Sequence, residues 1–207
     1  MRIMASEDRT LMVIAVIAVI VSVVGLGVSL SKANVTGRVT DTGTANFTVE
    51  EKVAINFTTD IIDWGNGSVT EGKSAAYLDT QTGTVTNGNW TAVSNGLVLE
   101  NIGNKNVTLD MKVGQTAAQF IGGTSPSYQW SFNDNINGEN GGCTFNTTNV
   151  PSEDTMQATS TSNIRVCNVF QYADANDVLE INFNLTVPSD SITGARGDII
   201  TATATAI

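Results

Sequence analysis

The stretch LEINFNLTV, residues 179–187, alternates without a break: Leu179, Ile181, Phe183, Leu185 and Val187 are apolar, and Glu180, Asn182, Asn184 and Thr186 separate them. A period of two puts one set on a buried face of a strand and the other on the opposite face. The same pattern recurs upstream. Phe47, Val49, Val53, Ile55 and Phe57 alternate with Thr48, Glu50, Lys52, Ala54 and Asn56, with Glu51 as the exception. That predicts an eleven-residue strand over 47–57, bulged at Glu50-Glu51. Tyr128, Trp130 and Phe132 alternate with Gln129 and Ser131.

Leu97, Val98 and Leu99 lead into Ile102-Gly103-Asn104-Lys105, and Val107, Leu109, Met111 and Val113 follow. This predicts a hairpin, with Gly and Asn supplying positive-φ turn positions. Weaker strands are expected at 75–78, 164–170 and 199–207, and no helical period or internal repeat follows residue 31. The expected fold is all-β, an antiparallel β-sandwich of Ig-like or jelly-roll-like type preceded by one N-terminal hydrophobic helix.

That helix is expected over residues 11–30 (LMVIAVIAVIVSVVGLGVSL), which carry no charge. Twenty residues at about 1.5 Å each reach about 30 Å, one hydrocarbon thickness. Two readings fit: a retained single-pass anchor, or a secretory signal cut after Ser31-Lys32-Ala33, before Asn34. The leader carries Arg2 and Arg9 but also Glu7 and Asp8, so its charge nearly cancels. Either way the remainder is expected outside. The organisation is thus a polar leader (1–10), a transmembrane or signal helix (11–30), a Thr/Gly-rich stalk or first strand (31–45), and an extracellular sandwich (46–207).

Twenty acidic and ten basic residues leave a formal charge of −10. No basic cluster is available to neutralise phosphates, so nucleic acid is not an expected partner. The chain has no histidine, which excludes Ser-His-Asp and Cys-His catalysis and His-ligated zinc. Paired carboxylates can serve a glycosidase, and Asp60/Asp63 and Glu153/Asp154 are near-neighbour pairs, but scattered acids on a solvated face account for them. Asn133 to Asn140 (NDNINGEN) imitates a calcium loop but lacks its first Asp and its bidentate Glu, so neither a metal nor a cofactor is expected. Arg196-Gly197-Asp198 is a bare RGD tripeptide that reads as a turn.

Cys143 and Cys167 are the only cysteines, and outside the cytoplasm such a pair reads as a disulfide. Eight N-glycosylation sequons begin at Asn34, Asn46, Asn56, Asn66, Asn89, Asn106, Asn146 and Asn184. Asn46, Asn56 and Asn184 fall on the polar sides of their expected strands, where a glycan would stand in water. The final stretch, residues 199–207 (IITATATAI), has strong β preference with neither charge nor Pro. It is either an interior closing strand or an edge that a neighbour covers.

Pro188-Ser189-Asp190-Ser191-Ile192-Thr193-Gly194, then Gly197-Asp198 and the Thr/Ala strand, resembles the closing region of prokaryotic surface β-sandwich proteins. These include fibre-forming proteins of the TasA/camelysin kind and archaeal pilin-like subunits. The resemblance lies in the architecture and the last twenty residues, and it implies a structural or assembly role. The chain departs from the pilin pattern at Arg9-Thr10, where a prepilin cut would want a basic residue followed by Gly or Ala. The expected function is therefore a non-enzymatic cell-surface structural protein, a filament or envelope subunit that self-associates through strand pairing and meets the membrane through its N-terminal helix when that helix is retained. The alternative is a membrane-anchored or secreted glycan-binding module that stacks sugars on Trp64, Trp90 or Trp130.

Overall fold

The computed structural model describes residues 14–20, 42–136, 138 and 140–207. The chain forms two units, Met1–Thr48 and Val49–Ile207. In the first, residues 14–20 are helical (α1), and Ile14, Val16, Ile17, Val19 and Ile20 are all more than half exposed around the circumference. Among the described residues no helix is long and apolar enough to cross a membrane. The polar leader, the rest of the apolar run, Asn34 and the stalk up to residue 41 lie outside the described residues.

The second unit is built on strands β1 (Asn56–Thr59), β2 (Ala75–Asp79), β3 (Thr84–Thr86), β4 (Leu97–Glu100), β5 (Val107–Val113), β6 (Ser127–Asn133), β7 (Cys143–Phe145), β8 (Gln157–Ala158), β9 (Ile164–Phe170), β10 (Val178–Pro188) and β11 (Ile200–Ala206). All ladders are antiparallel. A seven-stranded sheet follows the order β1-β4-β10-β2-β3, with β6 on the other side of β10 and β8 beyond it; a four-stranded sheet runs β11-β5-β9-β7.

The long strand β10 organises the larger sheet. One edge pairs with β6 through seven residue pairs. The other edge is shared end to end by β4, opposite Val178 to Ile181, and β2, opposite Asn184 to Pro188. Thr80 bridges the gap between them. Its N–H donates to the Phe183 carbonyl at 3.0 Å, and its hydroxyl accepts from the Phe183 N–H and donates to Asn182 Oδ1, both at 2.9 Å. The Thr80 hydroxyl and Asn182 Oδ1 are therefore buried with their hydrogen bonds made.

Both sheets contribute to one core. Leu99, Trp130, Phe132, Leu179 and Ile181 come from the larger sheet, and Leu109, Met111, Val166 and Phe170 from the smaller. Each such side chain stabilises the fold by about 1.5–3 kcal/mol through burial. Cys143 and Cys167 form the expected disulfide, with Cα atoms 5.3 Å apart, tying edge strand β7 to β9. Closing that loop is worth about 3–4 kcal/mol in the chain-entropy model.

Three local expectations need correction. The expected hairpin of residues 97–113 is an arch: β4 belongs to the larger sheet and β5 to the smaller, so the chain crosses between sheets at residues 101–106. Buried Asn101 shapes the crossing, donating from Nδ2 to the carbonyls of Lys105 (3.1 Å) and Phe170 (3.2 Å) and accepting the Gly103 N–H (3.1 Å). Gly103 is not at positive φ; a Cβ there would lie 2.4 Å from the Lys52 carbonyl oxygen, so close approach is what requires glycine. The expected strand over 47–57 forms a ladder only from Asn56, and its irregularity falls between Phe57 and Thr59 instead of at Glu50-Glu51. Upstream, one residue replaces a partner strand. Asn104 donates from its backbone to Lys52 O (3.0 Å) and from Nδ2 to Glu50 O (2.8 Å), and its Oδ1 accepts the Lys52 N–H (2.7 Å). Finally, a short helix α2 (Ala117–Phe120) sits between β5 and β6, started by a capping box of Thr116 and Gln119 that was readable as T-x-x-Q.

Candidate functional site

The final strand settles into the less protected of its two expected positions. β11 pairs with β5 through seven residues, Ile200 opposite Val113 to Ala206 opposite Val107, and ends the four-stranded sheet. No strand among the described residues covers its other edge. Ile200, Ala202 and Ala204 pack toward the core. The alternation of the strand therefore turns Thr201, Thr203 and Thr205 outward. Ile199 is 76% exposed and Ile207 52% exposed at its two ends. Natural edges are usually blunted by charge, proline or a bulge, and residues 199–207 contain no charge or proline. Every residue of β11 is matched to β5 in an unbroken register, so no bulge twists it away.

An open groove of about 460 Å³ lies at the C-terminal end of this edge, lined among others by Val49, Glu51, Lys105, Asn106, Tyr172 and Ile207. Lys105 Nζ meets Glu51 at 2.7 Å within it. A second segment without a partner strand lies elsewhere in the chain and adjoins the groove at Val49. Residues 42–55 join no ladder, and Phe47 (89%) and Val49 (69%) are strongly exposed. Phe47 belongs to the first unit and Val49 to the second.

The remaining expected sites fall into place as follows. The Asp198 carboxylate of the RGD tripeptide is shielded from solvent and faces the Tyr128 hydroxyl, so it cannot reach an external cation. Burial, with Asp198 beside it, holds the Tyr128 hydroxyl far above the ordinary phenol range. Trp130 is fully buried, and Trp64 and Trp90 pack half-buried against the core. The Trp90 ring lies on the backbone of Gly67 and Gly88, where a Cβ would come within 2.4 Å and 2.7 Å of it. That covering leaves little ring face for a sugar.

Asp63 caps the Gly65 N–H at 2.7 Å, and Asp60 is exposed without a bonded partner. Glu153 and Asp154 lie beside β6: Glu153 Oε1 accepts the Asp134 N–H (3.3 Å), and Asp154 Oδ2 accepts from Asn133 Nδ2 (3.4 Å). Both carboxyls are raised, chiefly by partial burial, then by Asp134 for Glu153 and by Glu180 for Asp154. In the calcium-like loop, Asn133 Oδ1 accepts the Asn135 N–H (2.7 Å) and Asp134 Oδ2 accepts the Cys143 N–H (3.0 Å), so both turn inward. Residues 137 and 139 lie outside the described residues. Among the described residues no group of three His, Cys, Asp or Glu side chains is placed to hold a metal.

Of the sequons, Asn46, Asn56, Asn66 and Asn89 are exposed, whereas Asn106, Asn146 and Asn184 are half-buried. Asn101 and Asn104 were not expected as key residues. Their Asn-rich turn is legible, but the carbonyls they bind are distant in sequence. No family model, curated protein or solved structure matches this chain.

Proposed function

We propose that this protein is a non-enzymatic structural subunit of the cell surface, a sandwich of Ig-like or jelly-roll-like type that assembles with copies of itself by strand pairing. The observation that carries this reading is the uncovered, uncharged edge of β11. Its unpaired N–H and C=O groups offer a template for one further antiparallel or parallel strand. The unladdered residues 42–49, ahead of the stretch that Asn104 holds at Glu50 and Lys52 and with Phe47 and Val49 exposed, supply a candidate for that strand from a second copy. Two further features support an exterior location. The disulfide suits an oxidising compartment. The helix at 14–20, apolar on all sides and exposed, suits a lipid environment. The resemblance to fibre-forming surface proteins points the same way.

The test is Thr203→Lys, examined by electron microscopy and size analysis of protein from its native envelope. Thr203 faces outward on β11, so a charge there blunts the edge while leaving the core intact. Wild-type protein is expected as filaments or higher oligomers and the variant as a monomer of unchanged melting temperature. A strictly monomeric wild type, or a variant that still assembles, overturns the reading.

A further inference from the structure

The sequons are alike in sequence, and six of the seven among the described residues divide into two groups in three dimensions. Transfer of a glycan forms a bond between asparagine Nδ2 and the anomeric carbon of a saccharide carried on a lipid phosphate or pyrophosphate. The sugar–phosphate bond breaks, the lipid phosphate leaves, and Nδ2 gives up one proton. The folded protein accommodates the product only where Nδ2 points to solvent and is not turned against an acceptor within the fold, because the saccharide needs the space around that nitrogen.

Asn46, Asn56 and Asn66 are exposed, and among the described residues their side chains make no hydrogen bond. Asn89 is exposed with its carbonyl oxygen held by the Ser68 N–H at 2.6 Å and the Ser68 hydroxyl at 3.4 Å. That clamp uses only the oxygen, which glycosylation leaves intact, and fixes the carboxamide with Nδ2 unengaged. The other three differ. Asn184 lies mid-strand on β10 between β2 and β6, and its Nδ2 donates to Asp79 Oδ2 at 2.9 Å. Asn146 is engaged at both ends: Nδ2 donates to Asn168 Oδ1 (3.0 Å) and Oδ1 accepts the Thr148 N–H (3.1 Å). Asn106 has its Oδ1 out of solvent in the wall of the groove, and its Nδ2 makes no hydrogen bond among the described residues, so it falls in neither group.

We propose that Asn46, Asn56, Asn66 and Asn89 are N-glycan acceptors among the described sequons and that Asn146 and Asn184 stay bare. This rests on the exported location of the proposed function but not on assembly. The expectation from the polar strand faces is thus kept for Asn56 and withdrawn for Asn184, while Asn46 is open without lying on a strand.

The experiment is glycopeptide mass mapping of protein purified from its native envelope, with intact mass before and after deglycosylation. Saccharide is expected on the four open asparagines, and Asn56→Gln, Asn66→Gln and Asn89→Gln are each expected to lower the intact mass by one glycan. A glycan on Asn146 or Asn184, or bare asparagines at the open positions, overturns the proposal. The two readings fail separately: bare filaments defeat this one alone, and glycosylated monomers defeat assembly alone.

Discussion

β10 and β11 both follow a period of two, and the fold treats them in opposite ways. β10 has β6 along one edge and β4 and β2 sharing the other, so its backbone is hydrogen-bonded on both sides. β11 has β5 alone. Alternation encodes which face is buried and is silent on how many neighbours a strand has. Side-chain size carries some of the missing information. The inward positions of β10 hold Leu179, Ile181, Phe183 and Leu185, all buried; those of β11 include Ala202 and Ala204, which only graze the core. A strand that buries little contributes little, and the cell can leave its edge available for something else.

The sharpest way to break this comparison is to remove one inward side chain from each strand. Phe183 is buried, stacks on Tyr128 at 5.7 Å between ring centroids, and pairs across the ladder with Trp130. Phe183→Ala is expected to cost about 3–5 kcal/mol, through lost burial and the cavity left behind. Ala202→Gly on β11 is expected to cost only about 0.5–1 kcal/mol, mostly backbone entropy. Denaturant titration of both variants measures the two values. Similar losses would mean that β11 is as much a part of the core as β10.

A smaller effect separates the arch from the hairpin that the sequence resembles. Asn101 holds the crossover by binding carbonyls of Lys105 and Phe170 together with the Gly103 N–H. Asn101→Ala leaves those buried groups without partners and is expected to cost about 1–3 kcal/mol. Amide hydrogen exchange should show the loss at residues 101–106 and at Phe170 on β9, while β10 stays protected. A change confined to residues 97–113 would restore the hairpin.

How far the sequence could be read follows from the same contrast. Strands β5, β6 and β10 were legible because each buries a full alternating row of large side chains. The disulfide was legible because only one pairing exists. Partner choice was not: the turn after β4 looks like a hairpin turn until Asn101 is seen to reach Phe170, which is 69 residues away. The alternation of residues 47–55 predicted a ladder, yet Asn104 supplies its bonds at Glu50 and Lys52 in place of a strand. For the candidate site, composition marked the last segment as adhesive, and only the topology put it at an edge.

The smallest expected effect concerns pH, and it sets the start of β10 against its end. Asp154 lies near Glu180, and partial burial followed by that charge raises its carboxyl; Glu153 is raised by burial and by Asp134. Just past the end of the strand, Asp190 is lowered, first by the Thr124 hydroxyl at 2.6 Å and then by the Thr124 N–H at 2.9 Å. At Glu153 and Asp154 the folded chain binds protons more readily than the unfolded one. Their contribution therefore grows as pH falls from neutral into the upper carboxylate range and is lost as pH rises through their folded values. Asp190 acts in the opposite sense: its contribution is full above the ordinary carboxylate range and disappears as pH falls through its lowered value. Melting temperature is thus expected to rise slightly from neutral into weak acid and to fall in strong acid. Circular dichroism melts at stepped pH measure this, with Glu153→Gln flattening the rise and Asp190→Asn reducing the fall. β11 carries no carboxylate of its own, so Thr203→Lys should leave the shape of that curve unchanged. A curve that declines steadily from neutral pH would mean that the raised pair at the start of β10 contributes nothing to folding.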